Sequence, residues 1–181
     1  MINYFIPLLL ILNFQQSNFN DKSYSYHNKL ADYYYHKGNY PEMMYHLLEK
    51  VKIDPKDVAT WSDIGYYYWS MAVNNKLREN EFKNKALIYL NRGLKSNSET
   101  YFLWDDIGRF HLLKSKDYNS AIPFFEEATN KKDCKNITYH LLATCYEKNN
   151  RVNDAIKTLN ECLKRFPNDA KAKSELDSFK D

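Results

Sequence analysis

Five histidines, three cysteines and 23 acidic side chains are the groups in this 181-residue chain that could ligate a metal or move a proton. Either task needs them at spacings that bring lone pairs together. A helical zinc-protease site sets two histidines four apart around a glutamate, and a structural zinc site pairs cysteines three positions apart. Neither pattern occurs. His27 and His111 fall at packing positions of a repeat of about 34 residues, while His36, His46 and His140 fall on three different helices. The adjacent acids Asp105-Asp106 and Glu126-Glu127 are turned to different sides of a helix, so neither makes a catalytic pair. The chain also lacks a Gly-rich phosphate loop and a Gly-x-Ser-x-Gly elbow. The residue types therefore predict no catalytic residue, no cofactor and no metal site, and an enzyme is disfavoured.

The bulk composition narrows the partners. Lys and Arg total 26 against 23 acids, for a net charge of +3, and the signs are mixed along the chain. Such a surface is solvated; it carries no basic stripe for nucleic acid. Only 4 Gly and 5 Pro suit helices with short connections, and 16 Tyr supply large rings to fill the space between them. The amino end differs. Residues 4–14 are almost wholly apolar, but the run is shorter than the ~20 residues a bilayer requires and Pro7 interrupts it. Residues 1–17 read as a signal peptide or as a hydrophobic helix packed on the first repeat. Export to a periplasmic or secreted location is the expectation, with a cytoplasmic protein as the alternative and no stable transmembrane span. Neither a preceding Lys or Arg nor a following A-x-A site supports the leader, and no cysteine lies near enough for a lipid anchor.

The elements that position these groups show themselves as a repeat. Trp61, Ile64, Gly65 and Tyr68 return as Trp104, Ile107, Gly108 and His111, with weaker copies at His27, Leu30, Ala31, Tyr34 and at Tyr139, Leu142, Ala143, Tyr146. A second series of small residues, Met43, Ala86, Ala121 and Ala155, moves with the first. A period near 34 residues predicts an all-α solenoid of paired helices. After a linker at 18–23, the units are about 24–56, 57–97, 98–133 and 134–167, and a capping helix over 168–181 presents Ala172, Leu176 and Phe179. In the first unit, helices at 24–37 and from Pro41 flank a turn at Gly38-Asn39. The second unit is nine residues longer than its neighbours; the excess predicts both helices extended by about a turn, meeting near Asn74-Asn75-Lys76. Gly93 inside a helix loses roughly 1 kcal/mol against Ala and so predicts a close helix approach. Pro123 is tolerated in a first turn if Asn119 caps its helix.

With Trp61-x-x-Ile64-Gly65, Trp104-x-x-Ile107-Gly108, then Tyr118, Ala121, Phe125, Ala128 and, in the last unit, Leu142-Ala143, Tyr146, Ala155, Cys162 and Pro167, the chain resembles the tetratricopeptide repeat family over 24–181. It departs from the pattern at His111, at Met43 and in the enlarged second unit. The resemblance implies four repeats and a cap, and a concave groove lined by the solvent-facing stripe of each first helix. By register those residues are Asn28, Asp32, Tyr35 and His36; Ser62, Tyr66 and Trp69; Phe102, Asp105, Arg109 and Leu112; and His140, Thr144, Glu147 and Lys148. The expected function is a protein or peptide interaction module, with Asp105 and Arg109 orienting a ligand on the rings. The alternative is a structural subunit of an envelope or secretion assembly docking through the convex face and the long second repeat. The Lys/Asn clamp that chaperone cofactors of the family place on a C-terminal carboxylate is missing, since Asn28 and Asp32 stand there. Cys145 and Cys162 occupy positions where the family prefers Ala, so packing is their default role. In an exported protein Cys134 and Cys162 are the pair to bridge, and Asn136-Ile137-Thr138 has the form of a glycosylation acceptor.

Overall fold

The computed structural model describes residues 23–179, which divide into two units between Asp54 and Pro55. The first unit is a helical hairpin of α1 (Tyr24–His36) and α2 (Tyr40–Ile53). The second contains α3 (Val58–Asn74), α4 (Glu79–Ser96), α5 (Phe102–Ser115), α6 (Tyr118–Thr129), α7 (Asn136–Lys148), α8 (Val152–Arg165) and α9 (Ala170–Asp177). Among the described residues there is no strand, and no helix is long and apolar enough to cross a membrane. The fold is an all-α helical-repeat solenoid. The apolar run at 1–17, on which the export expectation rests, lies outside the described residues, as does the linker up to residue 22.

Side-chain oxygens start most helices. Ser23, Asn39, Asp57, Asp117 and Asp169 each accept the N–H three residues on, satisfying a donor that the first turn leaves orphaned. Three of the turns between paired helices use left-handed backbone, at Gly38 (φ 68°), Lys116 (φ 48°) and Asn150 (φ 58°). Asp117, not Asn119, caps α6, because its carboxylate reaches the Ser120 N–H at 3.0 Å. Pro123 consequently lies beyond the first turn, inside the helix. In the long second repeat α3 and α4 have 17 and 18 residues, and a 3-10 turn, Lys76–Arg78, joins them.

Packing in the larger unit follows the alternation of bulky and small residues. A Cβ built on Gly93 would lie 2.6 Å from Leu103 Cδ1 and 2.7 Å from the Trp61 Cβ, so the interior glycine is where α4 meets α3 and α5. Both repeat tryptophans are pinned alike: Trp61 Nε1 donates to the Pro55 carbonyl at 2.8 Å and Trp104 Nε1 to that of Ser98 at 3.1 Å. Ala121, Phe125, Ala155, Leu159, Cys145 and Cys162 are wholly buried, and Ala172 of α9 closes this core with Leu176 and Phe179 beside it.

Candidate functional site

The repeat sorts the expected groove residues of the larger unit into columns. Ser62, Asp105 and His140 occupy one place in three successive first helices. Each bonds to the helix two along the chain, or to its cap. Ser62 Oγ donates to Asp106 Oδ2 at 2.5 Å, Asp105 Oδ1 accepts from Thr138 Oγ1 at 2.7 Å, and His140 meets Asp169 and Glu175. Asp105 and His140 are buried, the latter to 3%. At Asp105 and His140 this column is a seam between neighbours, while Ser62 also borders a cleft. Helical periodicity marks a stripe, but the next helix overlies one edge of it.

The columns further along α3 and α5 do reach solvent. Ser62, Gly65, Tyr66 and Trp69 from α3, Leu90 from α4, and Asp106, Arg109 and Phe110 from α5 surround a cleft of about 50 Å³. Small-molecule pockets run to roughly 300–1,000 Å³, so this one has room for a single small side chain. Tyr66 is 65% exposed and its ring lies 5.1 Å from that of Trp69. The Trp69 indole N–H is buried and has no hydrogen-bond partner among the described residues. A buried donor left unmade costs about 1–3 kcal/mol. Arg109 donates through Nε to Asp105 at the cleft wall. Burial pushes the Asp106 carboxyl up to about 6; the Ser62 hydroxyl opposes the rise and the Asp105 charge adds to it.

The remaining expected residues stand elsewhere. Phe102 is exposed at the start of α5, against the Tyr101 ring and away from the cleft lining. Leu112 packs on the C-terminal core, the Thr144 hydroxyl donates to the His140 carbonyl at 2.8 Å, and exposed Glu147 pairs with Lys148 at 3.1 Å. In the first unit Asn28, Asp32, Tyr35 and His36 are exposed, with Asp32 and His36 at 3.4 Å. There the sequence reading missed a contact. His27 and His46 are buried, with their Nδ1 atoms 2.8 Å apart, and Tyr34 stacks on His46. Burial, and then His27, lowers the His46 pKa, which Glu42 and Glu49 partly restore.

A second gathering of polar groups was invisible as a motif. Under α9, His140 Nε2 lies 3.0 Å from Asp169 Oδ2, His140 Nδ1 lies 2.7 Å from Glu175 Oε2, and Cys162 Sγ lies 3.8 Å from the same Asp169 oxygen. Asn136 Nδ2 donates to that oxygen at 2.7 Å, so the glycosylation triplet's asparagine is already engaged. Burial would raise the Asp169 carboxyl, but the Ala172 N–H, Asn136 and His140 hold it far below the usual carboxylate range. Cys134, Cys145 and Cys162 are all free and buried. The expected Cys134–Cys162 bridge is thus not formed: the Cys134 thiol donates instead to the Lys135 carbonyl at 3.4 Å and that of Cys162 to Asp169.

Residues 112–174 match the family model of the tetratricopeptide repeat. No curated protein sequence matches the chain. Its fold is shared with several solved structures. A thermophilic TPR protein of Thermus thermophilus is 17% identical with a TM-score of 0.62, covering 88% of this chain and 82% of its own. PilW, a widely conserved type IV pilus biogenesis factor, is 18% identical at 0.58, covering 82% and 64%. YrrB, a TPR protein with an unusual peptide-binding site, is 14% identical at 0.58, covering 84% and 74%. The register of residues, the serial helix pairs and these likenesses agree on a helical-repeat fold, within which residues 112–174 match the tetratricopeptide repeat.

Proposed function

We propose that the chain is a non-catalytic interaction module that seats a peptide segment of a partner protein against the first helices of its second and third repeats. One observation carries the reading. Tyr66, largely exposed, and Trp69 present adjoining rings at the cleft, and the Trp69 indole N–H, buried without an acceptor among the described residues, gains one if the cleft wall opens to a peptide carbonyl. Tyr66 beside it offers exposed ring area, and Arg109 offers a planar cation; these types anchor protein contacts. The ligand is then an extended segment with a small apolar side chain for the pocket floor of Gly65, Leu90 and Phe110. The peptide-binding site named for YrrB is in keeping with this reading, since the two folds are alike.

Selection of a random peptide library on the whole chain tests it. Tyr66→Ala with Arg109→Ala should weaken the selected peptides by about tenfold or more, since each anchor carries at least ~1 kcal/mol. Peptides that bind the double variant as well as the parent would place the binding surface elsewhere. A second reading has its own observation. Leu77 is 100% exposed on the turn joining α3 to α4, with Val73 exposed nearby. An apolar tip on the extended repeat suits docking to a larger assembly, as the pilus role named for PilW illustrates. Leu77→Ser abolishing assembly while peptide binding persists would favour it.

A further inference from the structure

The polar cluster under α9 has the composition and the near-geometry of a metal site. The ligand atoms of His140, Cys162 and Asp169 all lie within 4.8 Å of one another, and all three side chains are buried. Tetrahedral zinc takes nitrogen at about 2.0–2.1 Å, oxygen at about 2.0–2.2 Å and thiolate sulfur at about 2.3 Å. Neighbouring ligands of such a site are about 3.3–3.6 Å apart, by the tetrahedral angle applied to those bond lengths. The contacts at 3.0 Å and 3.8 Å therefore need to move by a few tenths of an ångström, and the His140–Cys162 pair, within 4.8 Å, closes by up to about 1 Å.

The hydrogen bonding around the histidine also calls for positive charge. A neutral imidazole has one N–H. With that hydrogen given to Glu175, the Nε2 lone pair faces the Asp169 carboxylate oxygen, acceptor against acceptor. A second ring proton or a metal cation at this point resolves the conflict. A carboxylate on the far nitrogen of a histidine is also the arrangement that orients ligating histidines, raising their basicity. Asp169 is fixed independently, because its other oxygen is held by the Ala172 N–H and Asn136 steadies Oδ2.

We propose that His140 Nε2, Cys162 Sγ and Asp169 Oδ2 bind one divalent zinc-like cation, which staples the capping helix to the last repeat. Glu175 serves from outside the ligand set. The fourth position is left to water. On binding, the Sγ–H bond breaks, sulfur keeps the electron pair and donates it to the metal, and the proton leaves to solvent. Affinity accordingly rises with pH. Nothing is oxidised or reduced.

The whole chain, stripped with chelator, is titrated with Co²⁺ and then Zn²⁺. The expected result is one equivalent bound, with thiolate-to-cobalt charge-transfer absorption and the intense visible bands of tetrahedral cobalt, both displaced by zinc. Zinc should raise the melting temperature and chelator lower it. Cys162→Ser should abolish the charge-transfer absorption, while Cys134→Ser retains it. Glu175→Gln alters a partly exposed side chain and keeps the fold. It should weaken zinc by 10–100-fold. If Cys162→Ser fails to fold, the Glu175→Gln affinity and the zinc-dependent melt decide the matter. A melt indifferent to zinc and chelator, or a charge-transfer band that survives Cys162→Ser, overturns the proposal and leaves the cluster a hydrogen-bonded joint.

Discussion

The cleft at Trp69 and the joint at His140 are built from corresponding faces of first helices, yet they are finished in opposite ways. At the joint His140, Asn136, Asp169 and Glu175 are bonded together, and α9 shuts out water. At the cleft an indole N–H goes unmade and Tyr66 stands in solvent. The difference lies in what comes next along the chain. Asp169, the cap of α9, reaches back to His140; Ser62 meets Asp106, and the column beyond it borders the cleft. A repeat thus becomes a binding surface where its successor stops short of covering it. It becomes a joint where the successor reaches back over it.

Substitutions can break this contrast. Asp169→Ala leaves His140 and Asn136 facing an empty place and should cost about 3–5 kcal/mol in urea unfolding, the largest effect expected here. An unchanged midpoint would mean that the joint contributes nothing. Asp106→Asn should act with the opposite sign. The Asp106 pKa is raised to about 6, so the folded state holds the proton more firmly than the unfolded chain does. Its favourable contribution is complete below the unfolded value near 4 and is lost as pH climbs through 6. The asparagine variant should be the more stable at pH 7, by on the order of 1–3 kcal/mol, with a flatter pH profile. Asp169, held low, loses its stabilising contribution in the other direction, as pH falls below about 4. The differences in stability between the parent and each variant, followed against pH, should therefore slope oppositely. Smallest of all, Trp69→Phe keeps one aromatic ring, gives up the packing of the other and deletes the unmade donor, so the two changes largely offset. Stability should hold or rise by less than about 1 kcal/mol while peptide affinity falls. Clear destabilisation would show that the N–H has a partner after all.

The fold was legible in the chain because repetition multiplies weak signals: Trp61 and Trp104, or Gly65 and Gly108, are each ambiguous alone but not in register. Gly93 was legible as well, since a glycine in mid-helix needs a reason and close approach is the usual one. The groove was legible only in part. Tyr66, Trp69 and Arg109 line the cleft with Ser62, but Asp105 and His140 have turned into seams. Their columns lie about one helical turn apart on the same face, and which is covered depends on the next repeat. The meetings of His27 with His46 and of His140 with Cys162 and Asp169 carried no local spacing, since 19 to 29 residues separate them. Only aligning the repeats on one another would hint that these positions face across a seam. Pro123 was misplaced by two residues of cap, because Asp117 and Asn119 are both good caps and the chain alone does not say which is used.

The three enclosed thiols give the last repeat a built-in reporter. Burial lifts Cys145 to about 12, and burial together with Asp169 lifts Cys162 to about 12, so neither reacts readily while the helices stay shut. Alkylation in the metal-free protein then counts opening events of the C-terminal segment directly. A dye placed on any newly added surface cysteine will label that site alone, without first stripping the chain of its own sulfur.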